Sequence, residues 1–447
     1  MPPSVGHSLP DALFSADAVR QIDRYVIDHQ GVDGFELMQS AAHAAFRCLV
    51  RHWPKCGSVL VLCGAGNNGG DGYLVAASAR RHGLDVRCVA VAPTGKLSGD
   101  IVDAMLGTGV SGAPREPFAT LIGRCNQAPA PVLAVDLPSG LNATTGAAEG
   151  DVVNAAMTVT FIGLKAGLFT GQGAAVCGEV VFESLDTADG VAGSGEKPVA
   201  VRRDWDSVMS WLPPRPANAH KGRFGHVLVV AGDRGYGAIM VHGLIHGSEL
   251  PSLLDAASVV VCGPGIGRSA WGQQMLEQVI ASGKPRVLDA DALNLLSGRV
   301  AVPADNHILT PHPGEAARLL NCLVSEVEAD RMAAALKLQA RYGGTVLLKG
   351  AGTVVASEGG ILDVINGSNP GMATGGMGDV LSGMIGAVLG QLGDGQKAAV
   401  LGAAAHLAAA DRASEGSGFI GLIPTDVIDA LPLVFRESES YPEAGEL

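Results

Sequence analysis

Short apolar runs that end in a glycine-rich turn recur along the chain, and each is followed by a helical pattern. Residues 58–64, 132–140 and 259–267 have this form. A continuous apolar run of this length is typical of a strand buried in a parallel sheet, and the turn and helix complete a βα unit. The repetition therefore predicts an α/β fold.

The length indicates two or three domains. The chain has 447 residues, more than one core usually serves. Residues 186–198 are small and polar, which favours a flexible tail after the first domain, and prolines at 213–216 mark the beginning of the second. We expect domains over residues 1–200 and 201–447.

Charge and cysteine usage narrow the class of protein. The net charge is −13, which argues against nucleic acid or an anionic membrane as a partner. The eight cysteines are scattered without zinc-type spacing, which favours reduced thiols. No stretch resembles a leader or a membrane span. We therefore expect a cytoplasmic enzyme.

Polar residues cluster at predicted strand ends in the first half. Residues 66–72 read Gly-Asn-Asn-Gly-Gly-Asp-Gly and precede a helix predicted over about 73–82, while Asp103, Asp136 and Ser139 follow two further strands. Carboxyl ends of parallel strands meet at one edge, where ligands bind. These oxygens suit a hard cation or sugar hydroxyls. Alternatively, the polar residues only shape turns or cap helices, and Lys165 is either a site residue or a solvated charge.

A second candidate site lies near the C-terminus. The glycine-rich segment 366–379 ends in Asp379, and apolar residues then recur at helical spacing from Val380 to Leu392. The N–H groups at such a helix start suit a phosphate. Asp379 either caps the helix or takes a proton. Lys349 lies in a predicted hairpin turn, and His312 stands between prolines before a helix.

Several of these segments together resemble one family. In the first half they are residues 66–72, 102–109 and 135–140, and in the second half residues 309–315, 348–353 and 371–383. In this order they resemble the bifunctional NAD(P)H-hydrate repair enzymes. The resemblance covers nearly the whole chain.

The resemblance implies two three-layer αβα domains. The N-terminal one is Rossmann-like and carries an NAD(P)H-hydrate epimerase, and the C-terminal one is ribokinase-like and carries an ADP-dependent dehydratase. The implied cofactors are K⁺ in the first domain and Mg²⁺ with ADP in the second. The implied substrates are hydrated NADH and NADPH, and the expected assembly is a homo-oligomer.

The resemblance also implies residue roles. K⁺ would be bound by Asn68, Asp103 and Ser139. The epimerase substrate would contact Asn67, Asn68, Gly69, Gly70, Asp71, Gly107, Thr108, Gly109, Val110, Ser111, Gly112, Ala113 and Asp136. The dehydratase substrate would contact Ala238, Gly265, His312 and Asp379, the last as catalytic base. ADP would contact Lys349, Gly350, Ala351, Gly352, Thr353 and Gly378.

The chain departs from the family pattern in two places. Segments are shortened between residues 96–100 and 101–103, and after the turn at 232–237. Two rival hypotheses remain at this level. One is a small-molecule kinase, which would not need the Asn-Asn-Gly-Gly-Asp unit. The other is a nucleotide-binding scaffold without activity, which would not need a base at Asp379.

Overall fold

A computed structural model describes residues 9–90, 100–109, 112–232, 244 and 247–439. The chain divides into two compact units, Met1–Arg202 and Arg203–Leu447. Both consist of strands and helices, so the α/β fold class predicted from the sequence is confirmed.

The first unit is built on a parallel sheet. The strands of the unit are β1 Ala12–Phe14, β2 Ser58–Cys63, β3 Asp85–Ala90, β4 Asp100–Ala104, β5 Val132–Val135, β6 Met157–Phe161, β7 Leu164–Lys165, β8 Glu179–Glu183 and β9 Ala200–Arg203. The main sheet has the order β3-β2-β4-β5-β6-β8, and every neighbouring pair is parallel. Strand β1 pairs with β7 in parallel and with β9 in antiparallel fashion.

Helices cover both faces of this sheet. They are α1 Ala16–Gln30, α2 Gly34–His52, α3 Asn67–Arg81, α4 Phe118–Gln127, α5 Gly173–Val176 and α6 Ala188–Gly193. Val61 packs with side chains of α1–α3, whereas its neighbour Leu62 packs with side chains of α4. Alternate residues of a strand point to opposite faces, so the unit has three layers.

The second unit contains a mixed sheet. Its strands are β10 Val227–Val230, β11 Val259–Cys262, β12 Arg286–Leu288, β13 His307–Leu309, β14 Thr345–Leu348, β15 Val354–Ala356 and β16 Leu362–Ile365. They lie in sequence order. Strands β10 to β14 are parallel, and β14 to β16 form antiparallel pairs.

Ten α-helices of the described residues belong to the second unit. They are α7 Trp205–Val208, α8 Leu250–Ala256, α9 Ala270–Ala281, α10 Asp291–Ser297, α11 Pro313–Leu320, α12 Val324–Ala329, α13 Arg331–Tyr342, α14 Met377–Leu392, α15 Gly395–Ser417 and α16 Pro424–Glu439. Helices α14 and α15 form the core with strands β11 to β14. A Cβ on Gly386 would lie 2.4 Å from Cγ2 of Val261, so α14 lies directly on the sheet.

Two local predictions were wrong. The helix expected from about residue 73 begins at Asn67, because the Asn-Asn-Gly-Gly-Asp segment is wound into its first turns. The segment 186–198, expected to be a flexible tail, contains α6. Gly190 of α6 packs closely against Val26 of α1, and this tertiary contact outweighs the poor helix propensity of the segment.

Candidate active sites

The beginning of α3 depends on close backbone packing at Gly69. A Cβ on Gly69 would lie 2.0 Å from the carbonyl oxygen of Gly64, so a side chain there would collide with the backbone. Gly66 is the N-cap residue. Asn67, Asn68 and Asp71 all have negative φ angles within the helix. The hypothesis that these residues serve only to adopt left-handed turn angles is therefore wrong.

Asn68, Asp103 and Ser139 come together beneath the start of α3. The buried Asp103 carboxylate accepts hydrogen bonds from Ser139 Oγ at 2.6 Å, from Ser139 N at 2.7 Å and from Met105 N at 3.2 Å. Asn68 Nδ2 donates to the carbonyl oxygen of Leu106 at 3.0 Å, and Leu106 N donates to Ser139 Oγ at 2.8 Å. Burial raises the pKa of Asp103 to about 6, although the donors from Ser139 and Met105 oppose that shift.

One polar atom of this cluster has no partner. Asn68 Oδ1 is buried and accepts no hydrogen bond from the described residues. An unpaired buried amide oxygen costs free energy, and a bound cation would remove that cost. No group of three His, Cys, Asp or Glu side chains suited to a metal occurs among the described residues. The donor set of amide, carboxylate, hydroxyl and carbonyl oxygens fits a hard cation rather than zinc.

A cavity of about 750 Å³ opens beside this cluster. Of the residues predicted to bind the epimerase substrate, those that line it are Asn67, Asn68, Asp71, Gly107, Thr108, Gly109, Gly112, Ala113 and Asp136. Gly69 and Gly70 pack against Gly64 and Met38 instead. Val110 and Ser111 lie outside the described residues.

An ion pair occupies one wall of the cavity. Lys165 Nζ contacts the Asp136 carboxylate and donates to Thr160 Oγ1 and to the carbonyl oxygen of Phe161, both at 3.0 Å. Thr160 Oγ1 also donates to Asp136 Oδ1 at 3.1 Å. Asp136 has a φ of 66°, a left-handed angle that aspartate tolerates better than most residues. Lys165 is almost fully buried and lines the cavity, so the alternative that it is a solvated charge is wrong.

Two more carboxyl groups face the same cavity, Asp71 from α3 and Asp23 from α1. Burial raises the pKa of Asp71 to about 8, and the charges of Asp136 and Asp23 add to the shift while Lys165 opposes it. Burial likewise raises the pKa of Asp23 to about 6. A proton is therefore retained among these carboxyl groups near neutral pH.

The second candidate site is organised by Asp289, which follows β12. Lys349 Nζ donates to Asp289 Oδ1 at 2.8 Å, and Ser382 Oγ donates to Asp289 Oδ2 at 2.7 Å. A Cβ on Gly378 would lie 3.3 Å from Lys349 Nζ, so the beginning of α14 passes directly over this pair. Lys349 lies in the turn after β14, as the predicted hairpin requires.

Asp379 lies in the first turn of α14. The N-cap residue of the helix is Gly376, with a φ of 94°, and no side chain makes a capping hydrogen bond there. The hypothesis that Asp379 is the helix cap is therefore wrong. Burial and the charge of Asp289 raise the pKa of Asp379, whereas Lys349 lowers it. A carboxylate of raised pKa in the first turn of a helix suits a proton acceptor.

His312 and Glu315 also belong to the second candidate site. His312 is the N-cap residue of α11: its Nδ1 accepts from Gly314 N at 3.0 Å, and its N–H donates to Glu315 Oε2 at 2.9 Å. Glu315 Oε2 lies 3.9 Å from Lys349 Nζ. Burial raises the pKa of the Glu315 carboxyl, opposed mainly by Lys349.

Of the remaining predicted contacts, Gly265 and residues 349–353 lie on loops. Gly265 has a φ of 66° and approaches Gly232. In the segment from Lys349 to Thr353, Gly350 and Gly352 have positive φ angles, and Thr353 Oγ1 donates to the carbonyl oxygen of Gly350 at 3.0 Å. Ala238 lies outside the described residues.

Four residues of these sites were not assigned a role from the sequence: Asp23, Asp289, Glu315 and Ser382. Asp289 directly follows a buried strand, so the rule that drew attention to Asp103 and Asp136 applied to it as well. Glu315 is the last residue of segment 309–315, one of the segments that carry the family resemblance. No local signal distinguishes Asp23 or Ser382 from other polar residues of amphipathic helices.

Comparisons with known proteins match both units. A family profile described as "NAD(P)H-hydrate dehydratase" matches residues 235–433, and one described as "YjeF-related protein N-terminus" matches residues 34–101 and 98–167. The two pieces of the N-terminal match meet where the sequence pattern indicates a shortened segment. The N-terminal match argues against the hypothesis that the protein is only a small-molecule kinase, because such a kinase would not need this unit.

Curated relatives match along nearly the whole chain. The bifunctional NAD(P)H-hydrate repair enzyme Nnr of Escherichia coli (strain K12) is 41% identical over 489 residues, covering 95% of this chain and 94% of that protein. The protein of the same name from Coxiella burnetii is 37% identical over 482 residues, covering 94% and 98%. Both alignments are longer than the 447 residues of the chain, so these relatives contain segments that it lacks.

Solved structures resemble about half of the chain. A ribokinase-like superfamily protein of Enterococcus faecalis is 26% identical with a TM-score of 0.49, covering 53% of this chain and 95% of that one. An ADP/ATP-dependent NAD(P)H-hydrate dehydratase of Bacillus subtilis, co-crystallised with ATP and Mg²⁺, is 25% identical with a TM-score of 0.44, covering 53% and 98%.

Proposed function

The chain belongs to the family of bifunctional NAD(P)H-hydrate repair enzymes, and from this premise we propose which unit performs which reaction. The first unit is the epimerase that interconverts the R- and S-hydrates of NADH and NADPH. The second unit is the dehydratase that returns the S-hydrate to NAD(P)H while ADP is converted to AMP and phosphate. The boundary between the two functional domains lies at about residue 200.

The epimerase site is the cavity beside α3. Hydrated nicotinamide nucleotide contacts Asn67, Asn68 and Asp71 at the helix start, residues 107–113, and Asp136 on the opposite wall. The cavity volume of about 750 Å³ is in the range of small-molecule sites and supports this assignment. Gly69 and Gly70 serve the site indirectly, by allowing the close packing that fixes the start of α3.

K⁺ is the proposed cofactor of the epimerase unit. Asn68, Asp103 and Ser139 would hold it, with the unpaired Asn68 Oδ1 as one ligand. The bound cation would neutralise the buried Asp103 charge and draw electron density from nearby substrate oxygens. The chain's own contribution is to keep these oxygens in place through the hydrogen bonds between Asp103 and Ser139.

The dehydratase must turn a poor leaving group into a good one. Hydroxide leaves a carbon slowly, so the hydroxyl of the hydrate is first phosphorylated by ADP and the phosphate is then eliminated. The transfer needs a base for the hydroxyl proton and an anion cradle for the phosphoryl group. Asp379 is the base, and the N–H groups at the start of α14 are the cradle.

ADP and its Mg²⁺ would be held by residues at the same helix start. Residues 349–353 and Gly378 contact ADP, and Ala238, Gly265 and His312 contact the hydrate together with Asp379. The buried Arg331 supports the nucleotide loop, because its Nη2 donates to the carbonyl oxygen of Lys349 at 2.9 Å. Mg²⁺ would accompany the phosphates and screen their charge during transfer. Lys349, already paired with Asp289, would offset the remaining charge.

The single observation that carries the dehydratase assignment is the position of Asp379. Its carboxyl stands in the first turn of α14, beside Gly378 and the Lys349–Asp289 pair, without serving as the helix cap. A protein that only binds nucleotides would not need a carboxyl of raised pKa at this place.

A direct test uses a racemic hydrate of NADPH with ADP and Mg²⁺. Recovery of the near-ultraviolet absorbance of reduced nicotinamide is followed with the purified protein. We expect both epimers to be recovered in full. Recovery of the S-hydrate alone would contradict the epimerase assignment, and no recovery at all would contradict the dehydratase assignment.

We infer a homo-oligomer in the cytoplasm, where NADH and NADPH are used. Among the described residues, no helix has both the length and the apolar character needed to cross a membrane.

A further inference from the structure

The epimerase cavity contains more carboxyl groups than the Lys165 ammonium group can balance. Asp23, Asp71 and Asp136 line it together with Lys165. The Lys165 ammonium group is committed to Asp136, Thr160 and the Phe161 carbonyl oxygen. The other charged side chains that line the cavity are Arg20, whose guanidinium contacts Asp17 and the carbonyl oxygen of Thr108, and Arg115.

Asp23 and Asp71 are therefore left without a counterion of their own among the described residues. Asp23 Oδ1 is buried and has no hydrogen-bond partner there. Ionising all three carboxyl groups beside one ammonium group would place two uncompensated charges in a partly desolvated space. The arrangement of lower free energy keeps one proton on either Asp23 or Asp71.

The chemistry of the proposed epimerisation needs such a proton. Reduced nicotinamide is an enamine, so hydration puts the hydroxyl on the carbon bonded to the ring nitrogen. Protonation of this hydroxyl lets the carbon–oxygen bond break, and water leaves with the bonding electron pair. The nitrogen lone pair then forms a carbon–nitrogen double bond. Water adds to the other face of that carbon and gives up one proton, so nothing is oxidised or reduced.

We propose that Asp71 is the general acid that protonates the leaving hydroxyl, and that Asp23 is the positioning residue that keeps the proton on Asp71. The Asp136 carboxylate, paired with Lys165, accepts the proton of the incoming water. Solvent returns that proton to Asp71 between turnovers. This assignment rests on the proposed epimerase function of the first unit.

The electrostatics agree with this division of roles. Burial raises the pKa of Asp71 to about 8, and the neighbouring charges of Asp136 and Asp23 raise it further than Lys165 lowers it. The pKa of Asp23 is raised to about 6, so Asp23 loses its proton first and its charge then strengthens the hold of Asp71. Two carboxyl groups whose pKa values differ in this way commonly provide the general acid of an enzyme at neutral pH.

The test follows interconversion of the pure R-hydrate without ADP, so that dehydration does not intervene, with an enzyme-free blank at each pH. The acid must be protonated, so wild-type activity should fall as pH rises through about 8. Asp23→Asn removes the charge that holds the proton. We expect its alkaline limb to move to lower pH, because the charge of Asp23 is one cause of the raised pKa of Asp71.

Matched variants separate this role from a structural one. Asp28→Asn changes an exposed carboxyl of the same helix and should leave the profile unchanged. Asp23→Glu should restore the wild-type limb, and Asp71→Asn should abolish interconversion. All variants should retain ADP-dependent dehydration of the S-hydrate, which reports on folding of the chain.

Each failure has a distinct meaning. A wild-type protein that does not exceed the blank would refute the epimerase function itself. An active wild-type protein with no alkaline loss would overturn the acid role of Asp71, even if Asp23→Asn failed to fold. Coinciding profiles of Asp23→Asn and Asp28→Asn, or an active Asp71→Asn, would likewise overturn the inference.

Discussion

Asp379 is the residue on which the dehydratase assignment depends. Its carboxyl lies in the first turn of α14 and makes no capping hydrogen bond, so its removal should affect chemistry more than stability. We expect Asp379→Asn to lower the rate of ADP-dependent dehydration by about a hundredfold or more, the usual contribution of a general base. Epimerisation should be unchanged. Asp255→Asn, at an exposed carboxyl of α8, is the control.

The outcome is read from two assays on the same preparation. Recovery of reduced nicotinamide from the S-hydrate measures dehydration, and interconversion of epimers without ADP measures the first unit. Loss of both activities in Asp379→Asn, or of neither, would contradict the role given to this residue.

Asp289 should control the pH at which Asp379 becomes active. As a base, Asp379 must be ionised, so dehydration is lost as pH falls through its raised pKa. The Asp289 charge is one cause of that raised pKa. Asp289→Asn should therefore move the acid limb of the dehydratase profile to lower pH. An acid limb that stays in place or moves to higher pH would contradict this electrostatic account.

At this scale, the sequence predicts residues that mark ends of elements better than residues within them. Asn68, Asp103 and Ser139 were expected together because each stands at a strand end or the turn after it, and the structure places them in one hydrogen-bonded cluster. Asp23 could not be found in this way. It lies on α1 beside the buried Ile22, and the charged groups that act on it, Asp136 and Lys165, are distant in sequence.

At the scale of elements, the start of α3 depends on the absence of one side chain. Ala at position 69 would place its Cβ 2.0 Å from the Gly64 carbonyl oxygen, and neither backbone can yield without unwinding the helix start. We expect Gly69→Ala to destabilise the first unit by a few kcal/mol, about the cost of an overpacked core position. Epimerisation should be lost while dehydration persists.

Gly66→Ala provides the matched control for stability. A Cβ at position 66 would meet no atom within 4 Å, and the φ of −94° is open to alanine. Thermal unfolding followed by circular dichroism compares the two variants. Equal unfolding temperatures for Gly69→Ala and Gly66→Ala would contradict the packing argument.

The strands were predictable from the sequence because their cause is local. The buried runs of β2, β5 and β11 stand out as continuous apolar segments. The first turns of α3 were not predictable from the sequence, because Asn and Gly have low helix propensity. Only tertiary packing and the cavity explain their helical form. Helix α6 escaped prediction for the same reason, because its stabilising contact with α1 is long-range.

At the scale of the molecule, each unit holds its own sheet core and its own site, so conditions that affect one site should spare the other. We expect exchange of K⁺ for a bulky organic cation such as choline to slow epimerisation and to leave the first unit easier to unfold. The reason is that Asn68 Oδ1 then loses its proposed partner. Dehydration of the S-hydrate serves as the internal control, and an unchanged epimerase rate would contradict the K⁺ site.

The two reactions should also be separable between molecules, because their common substrate is a free nucleotide. Asp71→Asn should recover only the S-hydrate from a racemic mixture at early times, and Asp379→Asn should recover almost nothing. A mixture of the two variants should recover both epimers, since the intact epimerase of one variant supplies the intact dehydratase of the other. Recovery is measured by the absorbance of reduced nicotinamide, with each variant alone at the same total concentration as the control. A mixture no better than Asp71→Asn alone would mean that the hydrate must pass between the two units of one chain.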